Sequence, residues 1–258
     1  MAVTTSGKDK VLRWTRIYVS GYDLSGDART FGSLDNSFAE VDFTGWSEAV
    51  RNYLADGHRV VGVRGFQALM NDTSGRAFDR LKAANTAGRL SICFGGGGEP
   101  SAGDPAYHLP SIQMMAPQGL DGSAAAITAD FIPDARQVST LTDNPMGVVL
   151  RGPTSMSSTV TASSSNSHDN GGATTSGWSA ILHVLSTSSG NFAFKIRHSS
   201  DDSSWSDLGT FTANGSAVTS ELLTGSGTVN RYVAFNAART AGTVTVVVTF
   251  ARNLVLNS

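Results

Sequence analysis

The sequence predicts a mainly β protein, an antiparallel β-barrel or sandwich with one or two short helices in the N-terminal half. Three observations carry this expectation. Apolar and polar residues alternate with period two over short segments, as at Ile17, Tyr18, Val19 and Ser20, and clusters of Gly, Ser, Asn and Asp separate those segments. Beyond Asn144 and Pro145 the chain turns rich in Ser, Thr, Gly and Asn, and every periodic segment there has strand spacing. Helical spacing is confined to two segments of the first half.

In chain order, residues 13–19 form the first expected strand, closed by Gly21, Asp23 and Gly26 as a turn. Residues 45–56 are the first expected helix. Thr44 would cap it, Glu48 suits the positive end of the helix dipole, and Trp46, Ala49, Val50, Tyr53 and Leu54 share one face before Gly57 stops it. Residues 76–85 are the second, with Phe78, Leu81 and either Ala84 or Ala77 along one side and Ser74 as the candidate cap. The remaining strands of this half are expected at 58–66, 89–94, 111–116 and 124–132. In the second half they fall at 148–151, 158–162, 178–185, 192–198, 208–211, 217–223, 229–237 and 243–252. Turns at 188–191 and 213–215 connect them as antiparallel neighbours. The last strand is β-branched almost throughout, from Thr243 to Phe250, which suits a central position.

This pattern divides the chain into an N-terminal arm (1–12), a β-domain with helices (13–144) and an all-β domain (145–258). With 258 residues and 40% apolar content, each half has material for its own core. Nineteen basic residues face 21 acidic ones, so total charge gives no reason to expect a polyanion binder. The single cysteine, Cys93, lies in an apolar run and is expected as a small buried hydrophobe; it rules out an intrachain disulfide framework. No apolar run reaches the length of about twenty residues that a membrane helix needs. The polar first ten residues lack a signal-peptide core, so the chain is expected to stay in the cytoplasm where it is made.

No catalytic or cofactor site is expected. The run Gly95 to Gly98 lacks the spacing of a nucleotide loop, and residues 95–105 read as a mobile connector or a projecting loop. Residues 163–172 are a second small-polar loop. None of His58, His108, His168, His183 and His198 sits at metal-ligand spacing. Asp201 and Asp202 lie in a Ser-rich stretch expected as a hairpin loop whose side chains satisfy turn backbone. Trp178, Trp205 and Tyr232 are expected in a sandwich core, with an exposed sugar platform as the alternative.

The stretch Arg16, Ile17, Tyr18, Val19, Ser20, Gly21, Tyr22, Asp23, Leu24, Ser25, Gly26 and Asp27, continued by residues 31–38 and Trp46, resembles the start of the major tail tube protein of long-tailed (siphovirus-like) bacteriophages. Residues 192–199, Trp205, 227–233 and 249–253 are similar to β-domains that recur in phage tail proteins. The resemblance implies a structural virion protein, not an enzyme and without cofactor or metal, located in the virion tail and assembled in the host cytoplasm. It implies tube-like domains that self-assemble into stacked rings forming the conduit for DNA ejection. The implied partners are other copies of the chain, the tape-measure protein and DNA in the lumen, and the tail terminator and tail tip proteins; no membrane is involved. A trimeric ring with pseudo-sixfold symmetry is favoured over a hexamer. Implied assembly contacts are Lys8, Lys10 and Arg13 near the arm, Gly96, Gly97, Glu99 and Asp104 in the first loop, and Asn166, His168 and Asp169 in the second. Two alternatives stay open: a carbohydrate-binding or adhesive β-sandwich module, and a capsid decoration or minor tail protein.

Overall fold

The computed structural model describes residues 12–42, 53–82, 85–117, 125–133 and 144–253. After a 3-10 turn at Leu12–Trp14 come strands β1 (Thr15–Val19), β2 (Tyr22–Asp23), β3 (Ala28–Thr30), β4 (Ser33–Asp42) and β5 (Tyr53–Leu69). Helix α1 (Ala77–Leu81), the one helix among the described residues, precedes β6 (Asn85–Phe94), β7 (Pro105–Pro117) and β8 (Ala126–Pro133). The second half adds β9 (Met146–Met156), β10 (Ser167–Asp169), β11 (Trp178–Ser199), β12 (Ser206–Thr210), β13 (Thr219–Gly225) and β14 (Tyr232–Arg252). Among the described residues every strand pairing is antiparallel, and together the pairings join the strands into one sheet that folds on itself as a sandwich without closing into a barrel.

The second half is organised by one long antiparallel strand pair, a hairpin whose connection carries β12 and β13. β11 and β14 pair along nearly their whole length, with register shifts at Val184/Ser186 and Ser188/Asn191. At those shifts Ser189 and Gly242 take positive φ, and a side chain on Gly242 would collide with the Ser189 carbonyl, 2.1 Å from its Cβ position. The hairpin doubles back here. Gly209 pairs with Ile196, yet a Cβ built on Gly209 would meet the Trp178 ring at 2.6 Å. In a straight strand, 178 and 196 would lie roughly 60 Å apart at about 3.3 Å per residue. Ala180, Leu182 and Val184 therefore share one core with Phe192, Phe194, Ile196, Phe235, Val246, Val248 and Phe250.

The first half has its own core. Ile17 and Val19 of β1, Leu90 and Ile92 of β6, and Tyr107 and Leu109 of β7 alternate onto one face, where they meet Val63, Phe66 and Ala68 of β5, Ile127, Ala129 and Phe131 of β8, and Leu81 of α1. The fully buried Tyr107 fixes this closure, because its hydroxyl lies 2.7 Å from the Asp35 carbonyl and 2.9 Å from that of Gly62, holding the β4–β5 hairpin against β7. The two large cores fall on either side of Asn144 and Pro145.

Where the halves meet, the sheet is buried on both faces. β9 pairs with β14 and, at Met146 to Val148, with β7, so it turns the corner between them. The residues of opposite parity, Tyr18, Cys93, Ala106, Val149 and Val247, form a small third cluster in this junction. Double burial explains the unbroken β-branched run in β14. Polar residues fill the rest of the junction: Ser91, His108, His183 and Thr249 are each at most 2% exposed.

These four side chains form a hydrogen-bonded series with a fixed direction. The Gly21 amide donates to Nδ1 of His183 at 3.1 Å, so the proton of that ring resides on Nε2 and is donated to the Ser91 hydroxyl at 3.0 Å. Ser91 then donates to Thr249 at 3.1 Å, Thr249 to Nδ1 of His108 at 2.8 Å, and Nε2 of His108 to Ser179 at 3.0 Å. This assignment gives every donor in the series from Gly21 to His108 an acceptor with both imidazoles neutral.

Several expectations are corrected. Of the helix expected at 45–56, residues 45–52 and the capping Thr44 lie outside the described residues, while Tyr53 to Asp56 belong to β5, where Tyr53, Leu54 and Ala55 pair with β4. The second helix is shorter than 76–85: Asn85 already pairs with β7. Its first amide, that of Ala77, is capped by Asp27 at 3.1 Å and not by Ser74. Expected strands 178–185 and 192–198 are one strand, as are 229–237 and 243–252, because the intervening Ser and Gly residues form bulges within a continuous pair. Of residues 158–162, only Val160 makes a ladder contact, a single bridge to Ala237. β3, β4 and β10 arise from Thr-, Ser- and Asp-containing stretches with weak alternation, and pairing with longer neighbours supplies what local propensity lacks.

Candidate assembly surface

The Arg16–Asp27 segment has a defined local structure. Ser20 and Gly21 form the β1–β2 turn with φ of 49° and 88°. The Ser25 hydroxyl accepts the Ile17 amide at 2.8 Å, and Asp23 accepts the Ser25 amide at 2.9 Å, which pins the following turn. Asp27, nearly buried, accepts hydrogen bonds from the Asn71 side chain and from the first amide of α1. Gly21 is packed so closely on β13 that a Cβ would sit 2.6 Å from the Thr219 carbonyl. The segment therefore also joins the two halves of its own chain.

The two loops singled out in the sequence converge beside β9. Glu99 forms a bidentate ion pair with Arg16, one bond at 2.7 Å and a second to Nη2, and this pairing raises the guanidinium pKa. Asp104 accepts the Ser101 amide at 2.9 Å, and the Gly103 amide donates to the Val149 carbonyl at 2.9 Å. Gly96 and Gly97 are exposed. Across the cleft, Asn166 accepts the Ser163 amide and donates to the Thr161 carbonyl. His168 lies in β10, where it pairs with Val233. Asp169 makes a two-pronged ion pair with Arg231 at 2.7 and 2.8 Å; this and the Gly171 amide hold its carboxyl well below the usual carboxylate range. The 95–105 loop and the 163–172 segment are thus both tied to their own chain, the second partly as a strand.

Of the residues near the arm, Lys8 and Lys10 lie outside the described residues. Arg13 is exposed, its guanidinium 4.9 Å above the Trp14 ring. The structure brings Glu99 and Asn166 to one cavity of about 200 Å³, lined also by Ser101, Arg151, Thr154 and Phe235. Arg13 is not among the groups lining it.

Sheet edges supply the other assembly feature. β4, ten residues long, pairs with β5 alone among the described strands. Ser33 and Ser37 are exposed along it, and Val60 on β5, opposite Ser37, is 41% exposed. An edge of this length and exposure is a template for strand addition.

The aromatic residues weighed as a sugar platform are dispersed. Trp178 is in the core and stacks on Phe250, and Arg231 covers the Tyr232 ring at 5.0 Å. Asp201 satisfies its own turn, accepting the Ser203 and Ser204 amides at 3.0 and 2.8 Å, as expected for a hairpin loop. Sequence reasoning missed the junction network and Arg151. A signal for the network existed, since Ser91, His108 and His183 each interrupt an apolar strand.

The chain matches no protein-family model, and neither curated proteins nor solved structures yield a match to it.

Proposed function

We propose that this chain is the subunit of a phage tail tube, assembling with copies of itself into stacked rings that conduct DNA. The observation that carries the proposal is the Arg16–Asp27 segment, which resembles the start of tail tube proteins, joined to a β-rich chain with a long open edge at β4. Ring closure removes such an edge by pairing it with a neighbour. Tape-measure protein and DNA would occupy the lumen, with terminator and tip proteins at the ends of the tube.

The two halves are built differently. The first carries α1 and the β4 edge; the second is a sandwich wound from one doubled hairpin. Dissimilar units make a pseudo-sixfold trimer less economical than six chains contributing their first halves, with the second halves outside, and the hexameric ring is the arrangement we propose.

The test is a charged β4 edge. Lysines at the exposed Ser33 and Ser37 leave the subunit folded, since surface changes of this kind cost under about 0.5 kcal/mol. They are expected to lower assembly strongly by sedimentation, because lysine on an edge strand opposes strand addition. Unchanged assembly of a folded S33K/S37K variant would remove β4 as the ring contact.

A further inference from the structure

Among the described residues, Arg151 is a half-buried charged group that the fold leaves uncompensated. It projects from β9, its Nε is shielded from solvent, and among the described residues neither a hydrogen bond nor an ion pair engages it. Burial pushes its pKa below the ordinary arginine value. A half-buried guanidinium without a counter-ion is unfavourable, and proteins normally pair such groups. The carboxylate at the rim, Glu99, does not fill this role because Arg16 holds it with two bonds. The loop that carries Glu99 is packed hard on β9: a Cβ on Gly152 would lie 1.8 Å from the Pro100 carbonyl.

We propose that the cavity between residues 99–102 and β9 binds a single carboxylate, with Arg151 as its anchor. The volume, about 200 Å³, admits a group the size of acetate or the end of an Asp or Glu side chain and is too small for a nucleotide. The guanidinium fork matches a carboxylate in a bidentate pair, and Ser101 and Thr154 line the same space. The negative charge of Glu99 at the rim disfavours a dianionic phosphate, which selects a monoanion. Two sources share this chemistry: an acidic side chain of a neighbouring copy, and a free small carboxylate.

The test compares thermal melting of the purified chain in sodium acetate and in sodium chloride at equal ionic strength, for the wild type and for Arg151→Gln. A ligand that binds the folded state raises the melting temperature by mass action. The wild type is expected to melt higher in acetate than in chloride, and R151Q identically in both; Arg151→Lys, which keeps the charge and loses the fork, provides a folded reference should R151Q fold poorly. No acetate effect in the wild type, or an equal effect in R151Q, would overturn the proposal. Sedimentation separates the sources. Association weakened at least tenfold by R151Q and by acetate identifies a carboxylate of a neighbouring copy, whereas acetate stabilisation with unaltered association identifies a free carboxylate. The site does not depend on tube formation: tubes that form equally well with R151Q leave the proposed function standing.

Discussion

Gly21 and His183, 162 residues apart, are joined by a hydrogen bond of 3.1 Å from the glycine amide to Nδ1 of the imidazole. This contact fixes the tautomer of a fully buried histidine and orders the polar series through Ser91 and Thr249 to His108. It also gives the turn of the first strand pair a role inside the subunit. The second half of the chain is held on the first by a directional network as well as by apolar packing.

Gly21→Ala is expected to destabilise the protein by about 2 kcal/mol or more, since the residue has φ of 88° and its Cβ would press on the Thr219 carbonyl. Urea denaturation checks this. A change within experimental error would show that the β1–β2 turn does not bear on β13.

Thr249→Val preserves shape and removes the hydroxyl that links Ser91 to His108. Two buried polar groups then lose a partner, at an expected cost of about 1–3 kcal/mol by the same measurement.

The two buried histidines set a pH dependence. Desolvation lowers His108 to about 4 and His183 to about 3, from 6.5, with the charge of His108 adding to the second shift. The unfolded chain therefore binds protons that the folded chain refuses, so stability is complete above pH 6.5 and falls as pH drops from there towards 4 and 3. At pH 5 the loss is about 2 kcal/mol per histidine, a sizeable share of a typical total of about 5–15. Thermal melts across this window check the sign; constant or rising stability on acidification would contradict it.

Asp27→Ala removes the acceptor for the first amide of α1 and for the Asn71 side chain. The expected loss is about 1–3 kcal/mol, with Asp27→Asn closer to wild type, because a capping oxygen remains.

Much of the fold was legible because period-two alternation is a direct consequence of a strand with one buried face. Cys93 in its buried strand followed from that rule, and the Asp201 turn followed from its Asp- and Ser-rich composition. The long strands β11 and β14 were not, since Ser189, Gly190 and Gly242 are turn residues by composition and become bulges only when the partner strand continues past them. Tyr53 and Leu54 fit a helical face equally well, and only the pairing with Asp42 and Val41 decides for the strand. Arg151 was invisible in the sequence because its distinction is the lack of a partner, a property of three-dimensional surroundings.

Negative-stain electron microscopy of the purified protein over a concentration series tests the proposed function most directly. Stacked rings or hollow tubes that appear with rising concentration, with six subunits per ring, are the predicted result. Particles that stay monomeric at every concentration would contradict self-assembly into a tail tube.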